Sequence, residues 1–143
     1  MAQKVLIVDD DAETRMIVSD YLSRLSVDHT LVASAGECLA KLVNDPAEYS
    51  MVLMDIHMPA LSGVDASTWI KDSEIDPPRN IPIIALTADE TYHDEDYIAR
   101  YGMRGVLAKP VTIDALEDTL NRYGSLNITT SSTTIKPGTP ANT

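Results

Sequence analysis

Four short apolar runs in this chain each end in a residue with reactive or charged chemistry, and that repetition limits the folds open to it. Val5-Leu6-Ile7-Val8 leads into Asp9-Asp10-Asp11, and Met51-Val52-Leu53-Met54 leads into Asp55. Ile83-Ile84-Ala85-Leu86 ends at Thr87, and Gly105-Val106-Leu107-Ala108 ends at Lys109-Pro110. A fifth run, Thr30-Leu31-Val32-Ala33, ends in Ser34, a plain capping residue. In an open parallel sheet, functional groups gather beyond the carboxyl ends of the strands. The runs follow that rule.

Helical patterns separate the runs, so the chain alternates strand and helix as a three-layer α/β domain does. Ile17, Val18, Tyr21, Leu22 and Leu25 form the apolar stripe of the first helix. Ser34-Ala-Gly-Glu37 reads as a capping box opening the second, which carries Leu39, Leu42 and Val43 inward and stops at Asn44-Asp45-Pro46. Pro59 and Gly63 mark a loop before a short third helix with Ala66, Trp69 and Ile70, and a polar stretch with Pro77-Pro78 follows it. The fourth helix is expected from Thr91 or His93 to Gly102. Its inward face is thin (Tyr97, Ile98, Tyr101), which marks it as the least stable. His93-Asp94-Glu95-Asp96 reads as that helix's acidic first turn, where negative charge suits the dipole, rather than as a metal site. Thr112 caps a fifth helix with Ile113, Leu116, Leu120 and Tyr123 inward. The expected division is a domain over 1–124 and a Ser/Thr-rich flexible tail or linker over 125–143. Asn127-Ile128-Thr129 matches the glycosylation triplet by chance.

Composition excludes several function classes. The 143 residues include 22 acidic and 11 basic side chains, for a net charge of −11, with no Lys/Arg cluster to neutralise phosphates. Direct nucleic-acid binding is therefore not expected. The apolar runs are too short to span a bilayer, and no signal peptide is evident, so a cytoplasmic location is expected. The single cysteine, Cys38, reads as a small buried apolar side chain.

Right-handed crossovers give the strand order 2-1-3-4-5, with a crevice where strands 1 and 3 meet. Asp9 and Asp10 at the end of strand 1 and Asp55 at the end of strand 3 then become neighbours. Carboxylates a few ångströms apart repel, which raises a pKa or demands a cation. Hard oxygen donors favour magnesium or calcium over zinc or copper, and magnesium, which retains free positions for phosphate oxygens, is the sharper reading. Helix capping accounts for Asp11 but not for acids on two adjacent strands. Thr87 supplies a hydroxyl and Lys109 a compact cation for an anionic group. A carboxylate nucleophile, a divalent ion, a lysine and a hydroxyl make a minimal phosphoryl-transfer site. Spacing alone leaves the Lys109-Pro110 bond open between cis and trans.

On Val8-Asp9-Asp10, Met54-Asp55-Ile56-His57-Met58-Pro59 with Gly63, Leu86-Thr87-Ala88 and Ala108-Lys109-Pro110, the chain resembles the receiver domain of response regulators in two-component signalling. The resemblance implies a doubly wound, flavodoxin-like (βα)5 fold with a five-stranded parallel sheet. It implies that Asp55 takes a phosphoryl group from a phosphohistidine of a histidine kinase or histidine phosphotransfer protein. Asp10, Asp55 and the backbone carbonyl of His57 would ligate Mg2+, with Asp9 acting mainly through bound water. Thr87 and Lys109 would hold the phosphoryl oxygens, and the Lys109-Pro110 bond would be cis. No conventional substrate turnover is implied; phosphotransfer and autodephosphorylation at Asp55 would be self-catalysed. Downstream protein targets would dock on the face of strand 4, helix 4, strand 5 and helix 5. His57 and Asp89 stand where the family tunes acyl-phosphate hydrolysis.

One departure concerns Val106, where receivers that couple threonine to an aromatic carry Tyr or Phe. A muted switch is expected from it, or one that relies on Thr87 and the fourth helix. The resemblance suits a single-domain regulator or phosphorelay intermediate, or alternatively a receiver excised from a hybrid sensor histidine kinase. A flavin carrier on the same fold would meet repulsion between its phosphate and Asp9-Asp10-Asp11. A hydrolase with an aspartyl-phosphate intermediate would need a second acid at the position of His57. The intact acids, threonine and lysine speak against a phosphorylation-independent module.

Overall fold

The computed structural model of the chain describes residues 4–76 and 78–123. Strands and helices alternate as β1 (Lys4–Val8), α1 (Ala12–Arg24), β2 (His29–Val32), α2 (Ala35–Asn44), β3 (Tyr49–Asp55), α3 (Gly63–Lys71), β4 (Ile83–Thr87), α4 (Glu95–Ala99), β5 (Gly105–Ala108) and α5 (Ile113–Tyr123). Two 3-10 segments, Pro46–Glu48 and Glu90–His93, precede β3 and α4. The expected tail over 125–143 and its Asn127 triplet lie outside the described residues. Among the described residues no helix is long and apolar enough to cross a membrane.

All pairings are parallel, in the order β2-β1-β3-β4-β5 that the crossovers dictate. Side chains alternate across the sheet with period two and feed a separate core on each face. Leu6, Val8, Val52, Met54, Ile83 and Ala85 pack with Cys38, Leu42, Ala66, Ile70 and Ile98 from α2, α3 and α4. Val5, Ile7, Met51, Leu53, Ile84 and Leu86 pack with Val18, Leu22, Leu116 and Leu120 from α1 and α5. Cys38 is wholly buried in the first of these cores, and desolvation pushes its thiol up to about 12.

Each helix begins where a short polar side chain satisfies an otherwise unpaired backbone N–H. Asp11 accepts from the N–H of Thr14 (3.2 Å), Ser62 from Asp65 (3.1 Å) and Thr112 from Ala115 (3.2 Å). In the box opening α2, Ser34 accepts from the N–H of Glu37 at 3.1 Å. Glu37 reaches one residue further back than expected, to the N–H of Ala33 at 2.9 Å.

Three apolar stripes are narrower than periodicity suggests. Ile17 is 40%, Val43 61% and Trp69 49% exposed, while Val18, Leu42 and Ile70 beside them are fully buried. A single sheet face receives only a narrow arc of each helix, so flanking apolar residues point past it. The fourth helix also differs from the continuous helix expected. A 3-10 segment ends at His93, and Asp94 then caps the five-residue α4 by accepting from Asp96 (2.9 Å) and Tyr97 (3.3 Å). Of Tyr97, Ile98 and Tyr101, Ile98 alone is fully buried. The segment is short because an aspartate offers its own carboxylate to the backbone there, in competition with helical carbonyls.

Leu53 on the central strand is fully buried. Leu53→Ala is expected to lower the unfolding free energy by about 2–5 kcal/mol, measured as a reduced urea midpoint with unchanged slope.

Candidate functional site

The sheet register brings the expected residues together. Val8 pairs with Met54, and Asp55 pairs with Leu86, so the residue after β1 and the last residues of β3 and β4 emerge at one edge. Asp9 is fully buried, Asp55 is 4% exposed, and Thr87 is 2% exposed, whereas Asp10 faces solvent. One carboxylate oxygen from each of Asp9, Asp10 and Asp55 lies within 4.8 Å of the others. From the end of β5, the Lys109 ammonium reaches 2.9 Å from Asp9 Oδ2 and 3.3 Å from Asp55 Oδ1. The Lys109–Pro110 peptide bond is cis.

The arrangement is electrostatically incomplete. Burial, and then the neighbouring charge of Asp9, push the Asp55 carboxyl up to about 7, although Lys109 opposes both. Burial disfavours the Lys109 charge, but the carboxylates of Asp9 and Asp55 outweigh it and hold the ammonium above its ordinary range. Asp9 Oδ1 accepts the N–H of Asp11 at 2.9 Å. Its other oxygen, Oδ2, is buried and makes the ion pair with Lys109 but, among the described residues, no aligned hydrogen bond. Three hard oxygen donors and an unsatisfied buried carboxylate oxygen fit a hard divalent cation. Such an ion would neutralise the like charges that repel here.

Several local devices hold the loops in place. Arg15, on the first turn of α1, donates from Nη1 to the Asp9 carbonyl at 2.7 Å and fixes the backbone of β1's end. Gly63 donates its N–H to the Ile56 carbonyl at 2.9 Å. A Cβ at Gly63 would collide with the Asp55 carbonyl oxygen and stand 2.9 Å from its carbon, so only glycine allows α3 this approach. Thr87 Oγ1 accepts the Asp89 N–H at 3.0 Å, and the Thr87 carbonyl accepts the Lys109 N–H at 3.1 Å.

His57 Nε2 stands 2.8 Å from Asp89 Oδ2, linking the loops after β3 and β4. That contact is the main reason the Asp89 carboxyl lies below its ordinary range. The His57 ring meets Tyr92 edge-on at 5.6 Å between centroids. Val106, on β5, is half-buried and carries no ring. Arg15 and Tyr92 escape a reading of the sequence. Arg15 looks like any charged residue on a helix surface, and the Tyr92 contact depends on the fold of the loop after β4.

The raised Asp55 pKa fixes the sign of a pH effect. Without a divalent ion, the folded state retains a proton on Asp55 that the unfolded chain releases above its ordinary value near 3.8. This group's contribution to stability therefore falls as pH rises from about 4 to about 7. Relative to Asp55→Asn, the parent is expected to gain thermal stability on going from about pH 8 to about pH 5 in chelator, and added magnesium should shrink that difference.

Comparison with known proteins agrees with this geometry. The family model described as response regulator receiver domain matches residues 5–121. The transcription factor SKN7 of Chaetomium thermophilum is 32% identical over 120 residues, covering 84% of this chain, and the chain spans only 15% of that relative's length. The polar-differentiation response regulator DivK of Brucella ovis is 28% identical over 123 residues, with 86% of this chain and 97% of the relative covered. Among solved structures, the receiver domain of the sensor histidine kinase PA1611 from Pseudomonas aeruginosa, with a magnesium ion coordinated in its active-site cleft, superposes with a TM-score of 0.75. It is 31% identical, covering 86% of this chain and 98% of that one. Five parallel strands in this order, the acidic crevice they enclose and these matches place the chain in the response regulator receiver domain family of two-component signalling.

Proposed function

We propose that Asp55 accepts a phosphoryl group from a phosphohistidine, carried by a histidine kinase or a histidine phosphotransfer protein, in a magnesium-dependent reaction. The observation that carries this reading is the placement of the Lys109 ammonium between Asp9 and Asp55, within a cluster of three carboxylates contributed by Asp9, Asp10 and Asp55. An Asp55 carboxylate oxygen attacks phosphorus, the phosphorus–nitrogen bond to the donor imidazole breaks, and the electron pair leaves with the donor. The product is an acyl phosphate on Asp55. Asp9, Asp10, Asp55 and the His57 backbone carbonyl would hold the magnesium ion, which supplies charge neutralisation for the phosphoryl oxygens. Lys109 pairs with one phosphoryl oxygen, and the Thr87 hydroxyl, which accepts the Asp89 N–H through a lone pair, donates its own hydrogen to another. Arg15 and Gly63 keep the reacting carboxylate and its neighbour in register.

Water then hydrolyses the acyl phosphate and returns Asp55 to its free form. The His57–Asp89 bridge joins the loops that follow Asp55 and Thr87, and we assign it control of that step. Residues 1–124 form the receiver and 125–143 a tail or linker, in a cytoplasmic single-domain regulator or phosphorelay intermediate. The face built by β4, α4, β5 and α5 is the docking surface for a downstream protein. A second reading, a receiver belonging to a hybrid sensor kinase, is favoured by the likeness to the PA1611 receiver.

With magnesium and a small phosphodonor, intact-mass measurement is expected to show one phosphoryl group gained by the parent and none by Asp55→Ala. Lys109→Ala is expected to lose most of the gain, and removing magnesium all of it. No gain by the parent, or an equal gain by Asp55→Ala, would defeat the proposal. Separately, His57→Ala is expected to change the dephosphorylation rate by about 3-fold or more, read by loss of the phosphorylated mass over time; an unchanged rate removes the role given to the bridge.

A further inference from the structure

Val43 near the end of α2, Trp69 near the end of α3 and Ile75 just beyond it are large apolar side chains that the fold leaves exposed. α2 and α3 run the same way over one sheet face and share its core. The flank of α3 that carries Ser67 and Lys71 faces α4: Ser67 Oγ donates to the Tyr101 carbonyl at 2.7 Å, and the Lys71 stem lies against Gly102. Trp69 lies about 160° around the helix from Lys71, at 3.6 residues per turn, and so faces α2. By the same geometry Leu39 and Val43, one turn apart, occupy the flank of α2 turned to α3, and Lys41 the opposite one. Leu39 packs on the core beneath, and Val43 and Trp69 stand above it as an uncovered apolar strip.

The rim of the strip is acidic. Asp65 and Asp72, four residues before Trp69 and three after it, share its side of α3, and Glu74 and Asp76 flank Ile75. All four acids are exposed. Lys41 points away from them, and the Lys71 ammonium is committed to the carbonyls of Arg79 (3.1 Å) and Ile81 (2.7 Å). Arg79 stands near Asp76 and offsets that acid in part, which leaves Asp65, Asp72 and Glu74. Both helices also direct their negative carbonyl ends to this edge of the domain.

We infer that Trp69 anchors a docking strip between α2 and α3 for a basic amphipathic helix of a partner protein. A tryptophan set among aliphatic side chains dominates binding wherever a partner buries it. A helix with apolar residues at i, i+4 and i+7 fits the furrow between two parallel helices, and lysine or arginine beside that stripe meets the acidic rim. A second copy of this chain would bring acids against acids, since its net charge is −11 and it has no Lys/Arg cluster. An anionic lipid surface is repelled for the same reason. The ends of α2 and α3 lie at the edge of the sheet opposite Asp55, so the strip is free whether or not Asp55 is modified, and the inference stands apart from phosphoryl transfer.

The probe is a synthetic amphipathic helical peptide of leucine and lysine, free of tryptophan, with a leucine–glutamate peptide of the same pattern as control. On the full chain, the emission of Trp69, the only tryptophan, is expected to move to shorter wavelength with the lysine peptide and to stay in place with the glutamate one. By anisotropy of the labelled lysine peptide, Trp69→Ala is expected to weaken binding about tenfold or more. Asp65→Asn, Asp72→Asn and Glu74→Gln combined should weaken it comparably, and they keep the test decisive if Trp69→Ala fails to fold. Met16→Ser, which removes an exposed apolar side chain on α1, should bind as the parent does. No emission shift, equal binding of the two peptides, or equal weakening in Met16→Ser overturns the inference. So does a Trp69 emission that shifts with protein concentration alone, the mark of a second copy, or one that shifts with vesicles of anionic lipid.

Discussion

The Lys109 ammonium, lodged between the carboxylates of Asp9 and Asp55, is the interaction on which the site depends. Two acids this close and this buried would repel too strongly to remain ionised together in a low-dielectric pocket. The lysine lowers that repulsion, while burial and then the charge of Asp9 still push the Asp55 carboxyl up to about 7. A residual imbalance is useful chemically. A site fully neutralised by protein charges would offer nothing to a cation or to a phosphoryl group. One left short of positive charge is stabilised by any cation that binds to it. The surrounding fold can be understood as the scaffold for this imbalance: strand ends converge on it, glycine at position 63 lets α3 come close, and Arg15 clasps the backbone beside it.

The centre of this arrangement was legible in the sequence for a physical reason. A strand buried on both faces reads as an uninterrupted apolar run, so Asp9, Asp55, Thr87 and Lys109 stood out as the first polar residues after such runs. Handedness of the crossovers then decided which strand ends are neighbours, and the observed order follows it. The caps at Asp11, Ser34 and Thr112 were equally visible, since they depend on contacts three residues apart.

What the sequence concealed depends on contacts between distant residues. Ile17, Val43 and Trp69 satisfy a helical period as well as their buried neighbours do, and only the position of the sheet decides which of them it covers. The break between the 3-10 segment and α4 turns on the choice of Asp94 to bond its own backbone. The contacts of Arg15 with Asp9 and of His93 with Thr87 each join side chain to carbonyl across a loop, with no periodic signature to betray them. The loop after β4 is thus the part least readable in advance.

Cys38 carries a consequence of its own. Its sulfur sits in the layer between α2 and the sheet, and with a thiol at about 12 almost none of it is thiolate at neutral pH. Alkylating reagents therefore find it only when that layer opens and water restores ordinary acidity. As the sole sulfhydryl in the chain, it makes the breathing of α2 separately observable, on the side of the sheet away from α1 and α5.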